Sequence, residues 1–298
     1  MNSFYSFLKK YHETTNNIGF VESVHEAWPA TLEEVRWLKH PYVNKWFADP
    51  FIFNVTEQIL EVLVEEYDMQ CRKGVIVKLV IDRIQMTLIQ RIPLLSLDTH
   101  LSFPFWYIDS SNLYLIPENS KANHVPLFEY DLTNERVYFL RCLIDKPLVD
   151  TVVFRYKAMW YLLGTYSQVD NCLHVFRAKS KTLADAEFEE FQVITTEKKE
   201  LRNGGMIFEH EGRYYKISQN CVHHYGAGII IHEILFSSEG KLSFVARKCF
   251  NANKLYYRFG VHSYNVMANV AVIDGKDFRY RVLGMFIEKF VSIYRRFK

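Results

Sequence analysis

The sequence RNGGMIFEHEGRYYKISQNCVHHYGAGIIIHEI, residues 202–234, decides the fold. Residues 206–208 and 214–217 are short strand-like runs, and the Glu-Gly pair at 211–212 between them is a tight-turn signal. A third strand-like run follows at residues 229–235, after a turn rich in polar side chains. Because an all-β scaffold presents binding sites on the loops between its strands, this stretch predicts a sheet with a site beside it.

Strand-like units of this kind restart about every 50 residues, near positions 49, 100, 150, 204 and 262. A strand-rich repeat of that length is typical of a β-propeller, in which each blade has four strands. Five units fill residues 46–283, so the sequence predicts an all-β fold, a five-bladed β-propeller. A pair of β-sandwiches is the alternative, because the units share little sequence identity.

The two ends of the chain do not follow the repeat. Residues 1–45 are expected to form a short N-terminal segment that packs on the propeller, with a helix from Thr31 to Leu38. Residues 284–298 combine helical apolar spacing with basic residues and predict a C-terminal amphipathic helix. Two interpretations of this helix stay open: it packs on the domain's own outer surface, or it contacts a membrane surface or a partner.

The composition narrows the class of protein. Of the 298 residues, 49% are hydrophobic and 16% aromatic, which suits a large packed core and argues against disorder. A net charge of +2 without a large basic block argues against binding to nucleic acid. The five cysteines show no CxxC spacing, and the sequence has neither a signal-peptide pattern nor an apolar run of about 18 residues. We therefore expect a cytoplasmic protein with free thiols.

Polar residues at the start of each unit are the candidate site residues, because the first strand of each blade lines the central channel of a propeller. The candidate catalytic residues are the carboxylic acids Asp49, Glu118 and Asp150. The candidate substrate-binding residues are Glu66, His100, Ser102, Arg202, Gln219, Asn220, His224, Tyr225 and His262. Two carboxyl groups on different blades can face each other across a sugar as acid and base. These residues also have a purely structural explanation. An aspartate before a proline often forms a turn, and the ring nitrogens of a histidine are often hydrogen-bonded to nearby groups of the fold.

No metal and no cofactor is predicted. His223, His224 and His232 lack a cysteine or carboxylate at a familiar metal-ligand spacing. The chain also lacks a Walker loop and a GxGxxG motif, so nothing in the sequence supports a glycine-rich nucleotide cradle.

Several motifs, taken in their order along the chain, resemble a known family. They are ADPFIF at 48–53, HLSFPF at 100–105, YLIPE at 114–118, WYLLGT at 160–165, GGMIFEHEGRYYKISQNCVHHYGAGIIIHEI at 204–234 and GVHSYNVMANVAVIDG at 260–275. The set resembles the five-bladed propeller domain at the N-terminus of plant glucosamine inositolphosphorylceramide transferases, and bacterial proteins from surface-polysaccharide loci. That domain is in turn similar to the arabinanase and xylosidase type of five-bladed glycosidases.

The resemblance implies roles for individual residues. Asp49 matches the first-blade aspartate that acts as general base in the glycosidases. Asp150 begins the third unit and does not map onto their second carboxylate, and Glu118 lies in the family's Pro-Glu motif without being equated with their general acid. The later motifs are matched by Arg202, Gln219, Tyr225, Gly226, His262 and Asn265, with Asp274-Gly275 as a closing turn. Position 220 is Asn where the family pattern has Asp.

The first functional hypothesis is a glycosyltransferase-type enzyme of cell-surface polysaccharide or glycolipid biosynthesis. Its partners would be a sugar donor, either a nucleotide sugar or a sugar phosphate, and a glycan or glycolipid acceptor. Contact with the inner membrane surface would run through the C-terminal helix. The channel carboxyl groups would transfer protons or stabilise an oxocarbenium-like centre, and Arg202, His100 and His262 would contact a phosphate or the acceptor.

Two alternatives remain open from the sequence. One is an arabinanase-like glycoside hydrolase, which needs an acid and a base at the blade starts. The other is a non-catalytic glycan-binding module, which would depend on aromatic rings such as those of Trp106, Tyr107 and Tyr225.

Overall fold

The fold is a ring of five antiparallel sheets with four strands each. It is seen in a computed structural model that describes residues 11–22, 28–29, 31–32, 34–166, 172–197, 200–222, 224–252 and 255–296, with only the backbone for 290–296. The predicted five-bladed β-propeller is confirmed, and its blades begin close to the positions where the sequence pattern restarts.

Four of the blades are each built from consecutive strands. Blade one contains β3 (Lys45–Val55), β4 (Ile59–Asp68), β5 (Lys73–Asp82) and β6 (Thr87–Leu95). Blade two contains β7 (Ser102–Asp109), β8 (Asn112–Glu118), β9 (Val125–Asp131) and β10 (Arg136–Ile144), with a short 3₁₀ turn at Ser120–Ala122. Blade three contains β11 (Leu148–Tyr156), β12 (Met159–Tyr166), β13 (Cys172–Ala178) and β14 (Glu189–Thr195). Blade four contains β15 (Phe208–His210), β16 (Arg213–Asn220), β17 (Gly228–Phe236) and β18 (Leu242–Asn251).

The fifth blade joins the two ends of the chain. It contains β19 (Tyr264–Met267), β20 (Val270–Phe278), β1 (Thr14–Val21) and β2 (Arg36–Trp37). Strand β1 pairs with β20 along its whole length, from Thr14 opposite Phe278 to Val21 opposite Ala271. The N-terminal segment therefore closes the ring as part of the propeller, where the sequence had suggested a separate packing segment.

The predicted helix from Thr31 to Leu38 is wrong for the described part of that stretch, residues 31–32 and 34–38, because Arg36–Trp37 pairs with β1 as a strand. Its capping-box spacing is a local signal, and the apolar face of β1 at Ile18 and Phe20 overrides it by recruiting the segment into the sheet. The partner strand β20 lies more than 200 residues away in sequence, so local reasoning had no access to it.

Two-residue turns connect several strands where the backbone can adopt positive φ. Glu211 and Gly212 have φ values of 50° and 73°, which makes the hairpin predicted from their sequence. The turn predicted at Asp274-Gly275 is wrong, since both residues lie inside β20. The turn of that hairpin is made by Ala268 and Asn269, with φ values of 46° and 63°.

The innermost strands of blades one, two and three share one irregularity. Asp49, Phe103 and Asp150 have φ values of 47°, 45° and 47°, in the left-handed region that L-residues seldom adopt. The strand pairing skips residues at each of these points, which marks a β-bulge. A bulge turns one side chain out of the regular alternation, so the same backbone device aims Asp49 and Asp150 at the inner end of their blades.

Aromatic side chains fill the space between blades. The ring of Phe51 in blade one meets that of Phe103 in blade two edge-on at 4.9 Å, and the indole N–H of Trp106 donates to the Ile52 carbonyl across the same interface at 3.1 Å. Trp160 in blade three is fully buried. Each large apolar side chain removed from water in this way contributes roughly 1.5–3 kcal/mol, which holds the blades in a fixed arrangement around the axis.

A single helix is present among the described residues, α1 (Arg281–Arg296), which begins three residues before the predicted start. Gly284 and Ile287 face the propeller and are buried, whereas Val282 and Phe286 are 86% and 60% exposed. Within the described part of the chain, no helix has the length and apolar character needed to span a bilayer.

Candidate functional site

The candidate site is a cavity of about 270 Å³ lined by residues from all five blades. Its lining residues are Thr14, Asn16, Trp46, Ala48, Asp49, Glu65, Tyr67, His100, Ser102, Glu118, Asp150, Arg202, Tyr225, His262 and Lys276. Eight of the twelve predicted site residues are among them: Asp49, His100, Ser102, Glu118, Asp150, Arg202, Tyr225 and His262. Residues far apart in sequence converge here because the inner ends of the blades meet at one place.

The first charged network in the cavity joins blades one and five. One oxygen of Asp49 accepts from the Phe103 amide at 3.1 Å, and the other lies 3.2 Å from Nε2 of His262. Nδ1 of His262 lies 2.6 Å from Oδ2 of Asp274, which is itself held by the amides of His262 and Ser263. Burial opposes the charged ring, but the two carboxylates, Asp274 above all, raise the pKa of His262 well above its ordinary value.

Asp49, His262 and Asp274 also offer ligand atoms within 4.8 Å of one another, a cluster of metal-ligating types that the sequence did not predict. Their contacts are those of ion pairs, because both ring nitrogens of His262 already face carboxylate oxygens. The charge of His262 in turn lowers the pKa of Asp274 against the effect of burial. The arrangement therefore favours an imidazolium held between two carboxylates.

The second charged network joins blades two, three and four. The side chain of Asp150 accepts from Nε of Arg202 and, at 2.8 Å, from the amide of Gln219. Glu118 accepts from the backbone amide of Asp150 at 3.2 Å and lies 3.8 Å from Nη2 of Arg202. Burial and the nearby charge of Asp150 raise the pKa of Glu118 well above its ordinary value, so Glu118 holds its proton to a higher pH than a free glutamate does.

A fourth cavity carboxyl group, that of Glu65, faces the cavity from β4. The amide of Gly74 donates to Nδ1 of His100 at 2.9 Å, which leaves the ring proton on Nε2, 3.3 Å from Glu65 Oε1. Burial raises the pKa of Glu65 to about 7, although the hydrogen bond from His100 works in the opposite direction. Glu65 is thus a proton carrier near neutral pH, and the sequence analysis had not selected it.

The neighbouring Glu66, which had been selected, points away from this cavity. Its carboxylate is paired with Lys45 at 2.7 Å and with Arg91 at 2.8 Å, and these residues line a separate cavity of about 340 Å³ beside blade one. Successive strand residues face opposite sides, so only one of two adjacent glutamates can face the axis. The bulge at Asp49 decides which one, because it fixes Ala48 opposite Glu65.

The other three predicted residues outside the cavity have structural contacts. Gln219 is buried behind Asp150 and holds its carboxylate, so it supports the site from beneath. Asn220 caps the following turn by accepting from the Val222 amide at 3.2 Å. His224 bonds the Phe259 carbonyl at 2.6 Å and stacks on that ring.

Aromatic rings form part of the cavity wall. Trp46 and Tyr67 stack on each other at 4.5 Å with an interplanar angle of 12°. Tyr225 is 43% exposed and lies 5.4 Å from the ring of His262. Trp106 and Tyr107, considered as sugar-stacking residues from the sequence, belong to the hydrophobic core instead.

The fifth blade contributes cavity residues that sequence reasoning missed. Thr14 and Asn16 lie on β1, and Lys276 lies on β20 directly opposite Asn16. Side chains alternate between the two faces of a strand, so Lys276 lies on the same face of β20 as Asp274. The sequence would have shown this if the strand had been predicted to continue past residue 274. The role of β1 could not be read locally, because it depends on pairing with the far end of the chain.

One known protein family matches most of this chain. The family described as glucosamine inositolphosphorylceramide transferase 1, N-terminal, matches residues 16–271, so the match includes strand β1. The glucosamine inositolphosphorylceramide transferase 1 of Oryza sativa subsp. indica is 30% identical over 146 residues, which cover 45% of this chain and 19% of that protein. The chain thus matches about a fifth of the length of this relative.

Two of the solved structures with similar folds are named as a galactanase and a xylosidase. The exo-beta-1,3-galactanase of Phanerochaete chrysosporium, solved with galactose, has a TM-score of 0.52 at 13% identity over 69% of this chain and 51% of that chain. A structure titled RS223-beta-xylosidase has a TM-score of 0.50 at 13% identity over 67% of this chain and 74% of that chain. Identities this low establish the fold alone. The predicted similarity to the arabinanase and xylosidase type of propeller is confirmed for the fold.

Proposed function

The chain belongs to the glucosamine inositolphosphorylceramide transferase 1 N-terminal family, and from this premise we propose that it is a glycosyltransferase-type enzyme whose cavity binds an activated sugar. One observation carries the proposal: four carboxyl groups in different electrostatic settings share one cavity, with aromatic rings and cations around them. They are Asp49, Glu65, Glu118 and Asp150. Carboxyl groups whose environments push their pKa values apart are the usual basis of acid and base roles in one site.

The carboxyl groups have different proposed roles. Glu118, whose pKa is raised, donates a proton to the group that leaves the sugar. Glu65, with a pKa of about 7, accepts the proton of the acceptor hydroxyl. Asp49, whose two oxygens face the Phe103 amide and Nε2 of His262, lies beside the positive charge that develops at the sugar carbon and stabilises it.

Arg202 is the proposed contact for the phosphate of the donor. Its Nε is committed to Asp150, but a guanidinium has five N–H donors, so others remain to face the cavity. His100 and His262, which the sequence analysis had considered for the same role, direct ring nitrogens at Glu65, Asp49 and Asp274. Their proposed role is to hold those carboxyl groups in position.

The proposed acceptor is a glycan or a glycolipid. The rice relative is named as a transferase of inositolphosphorylceramide, and the exposed face of α1 supports contact with a lipid surface in this chain. That face presents Val282, Leu283, Met285 and Phe286, and Arg279 and Lys289 supply positive charge nearby. All five cysteines are described and are free thiols, which supports placement on the cytoplasmic side of the inner membrane.

The proposal is tested by a donor screen followed by turnover measurements. Nucleotide sugars, sugar 1-phosphates and neutral oligosaccharides would be tested for binding by thermal shift, since a ligand of the native state raises Tm. Glu118→Gln is expected to keep donor binding and to lower turnover, and Glu239→Gln, which is 71% exposed at its side chain and lies outside the cavity, serves as the control. Binding and cleavage of neutral oligosaccharides alone would favour a hydrolase, and binding without any turnover would favour a glycan-binding module.

A further inference from the structure

One wall of the cavity carries an ammonium group with no carboxylate partner in the part of the chain that the structure describes. Lys276 on β20 lines the cavity, and among the described residues no carboxylate oxygen lies within the 4.0 Å of a salt bridge to it. Asp274 and Glu288 act on it only at longer range, and burial lowers the pKa of its amine. Lys276 is half-buried, and an ammonium group that is partly removed from water without an anionic partner is less stable than one in water.

The surroundings of Lys276 favour a bound anion as that partner. Its Nζ lies 5.4 Å from the centre of the Tyr225 ring, and the guanidinium carbon of Arg202 lies 4.9 Å from the same ring. Two cationic side chains therefore converge on one partly exposed ring in the wall of the cavity. The charge of Arg202 is balanced by Asp150, whereas no carboxylate of the described residues forms a salt bridge with Lys276.

A second unsatisfied group lies next to Lys276. Asn16 is its direct cross-strand partner on β1, lines the same cavity and is only 7% exposed. Its carbonyl oxygen Oδ1 is buried without a hydrogen-bond partner among the described residues. Buried polar atoms are rarely left unpaired in folded proteins, so this acceptor indicates a donor that arrives with a ligand, such as a sugar hydroxyl.

We propose that Lys276 and Asn16, with the ring of Tyr225, form a subsite for a phosphorylated sugar. The ammonium group of Lys276 binds a phosphate oxygen, and Oδ1 of Asn16 accepts from a hydroxyl of the attached sugar. This subsite rests on the proposed function, because it assigns the activated donor to the fifth-blade side of the cavity. The subsite lies on β1 and β20, the strands of blade five that bring the two ends of the chain together. It therefore exists only when these two strands pair.

The test compares the affinity for hexose 1-phosphate with that for the matching neutral hexose, by calorimetry. Wild-type protein is expected to prefer the phosphate, and Lys276→Met is expected to lose about tenfold or more of that preference with the neutral hexose unaffected. Lys276→Arg keeps the charge and should retain most of it. The matched control is Lys248→Met, whose ammonium group also lies over a ring, that of Phe250 at 5.4 Å, but outside the cavity.

The outcomes separate the subsite from the function on which it rests. An unchanged phosphate preference in Lys276→Met would overturn the subsite and leave the proposed function standing. A wild-type protein that binds neither compound would overturn both. If Lys276→Met does not fold, Asn16→Ala supplies the test: weaker binding of both hexose 1-phosphate and the neutral hexose would support the subsite, and unchanged affinity for both would overturn it.

Discussion

The two cavities beside blade one differ in how completely their buried charges are paired. In the cavity at the meeting point of the blades, Glu65 and Glu118 have raised pKa values, and Lys276 has no carboxylate partner among the residues that the structure describes. In the cavity outside blade one, Glu66 is matched by Lys45 and Arg91, which hold its pKa below the ordinary value against the effect of burial. The outer cavity is the larger of the two, at about 340 Å³ against 270 Å³. The candidate site therefore differs from the outer cavity by its incompletely paired charged groups, and cavity volume does not identify it.

The largest expected difference between the two cavities is in catalysis. Asp49→Asn should lower turnover of the activated sugar by about 100- to 10,000-fold, since it removes a carboxylate that faces the developing positive charge. Glu66→Gln should change turnover by less than about threefold, since Glu66 lies outside the site. Steady-state kinetics of both variants tests this, and equal losses in the two would remove the distinction between the cavities.

A second expected difference is the effect of pH on stability, which should be opposite for two neighbouring glutamates. The unfolded chain ionises Glu65 above a pH of about 4.5, whereas the folded protein keeps its proton to about pH 7, so this group weakens folding as pH rises through that window. A shift of this size corresponds to about 3 kcal/mol. Glu65→Gln should therefore gain stability relative to wild type between these pH values. Urea unfolding at several pH values measures the gain, and a difference that does not vary with pH would contradict the assignment.

Glu66→Gln should behave in the opposite way. A lowered pKa contributes stability above the unfolded value of 4.5 that is lost as pH falls through the folded value. We expect a loss of about 2 kcal/mol at neutral pH, less than for a fully buried pair because Lys45 and Arg91 are partly exposed. The loss should shrink in acid. The same unfolding series provides this measurement, and a variant as stable as wild type at pH 7 would show that the outer network is not stabilising.

The smallest expected difference is the one in stability between two glycine-to-alanine variants, one at the edge of the site and one outside it. Gly226 has a φ of 69°, and a Cβ added there would lie 2.9 Å from Cβ of His262. Gly212 has a similar φ of 73° with nothing within 4 Å, so Gly212→Ala reports the cost of the conformation alone, about 1 kcal/mol. Gly226→Ala should cost about 1–2 kcal/mol more, since the added methyl group must displace His262. Thermal unfolding of both variants compares them, and equal losses would mean that His262 moves without resistance.

The sequence was sufficient for features that repeat and insufficient for features that depend on long-range pairing. Asp49 and Asp150 could be found because both begin a unit in the same phase, and the structure gives them the same left-handed bulge. Glu65 could not be distinguished from Glu66, because the choice depends on the strand register that this bulge sets.

Other parts of the site were missed for related reasons. Asn16 lies in a segment whose partner strand is at the other end of the chain, so nothing near it in sequence indicated a fifth blade. Asp274 was read as part of a turn because Asp-Gly is a turn signal, yet Gly275 lies within β20 where a side chain would collide with Trp37. At Asp274 a local signal loses to tertiary packing.

The most direct test of the central claim is a crystal structure of the protein with a hexose 1-phosphate bound. The account predicts the sugar between Glu65, Glu118 and Asp49, with its phosphate near Lys276 and Arg202. The account would be contradicted by a ligand that binds in the outer cavity beside Lys45 and Arg91 and leaves the cavity lined by all five blades empty.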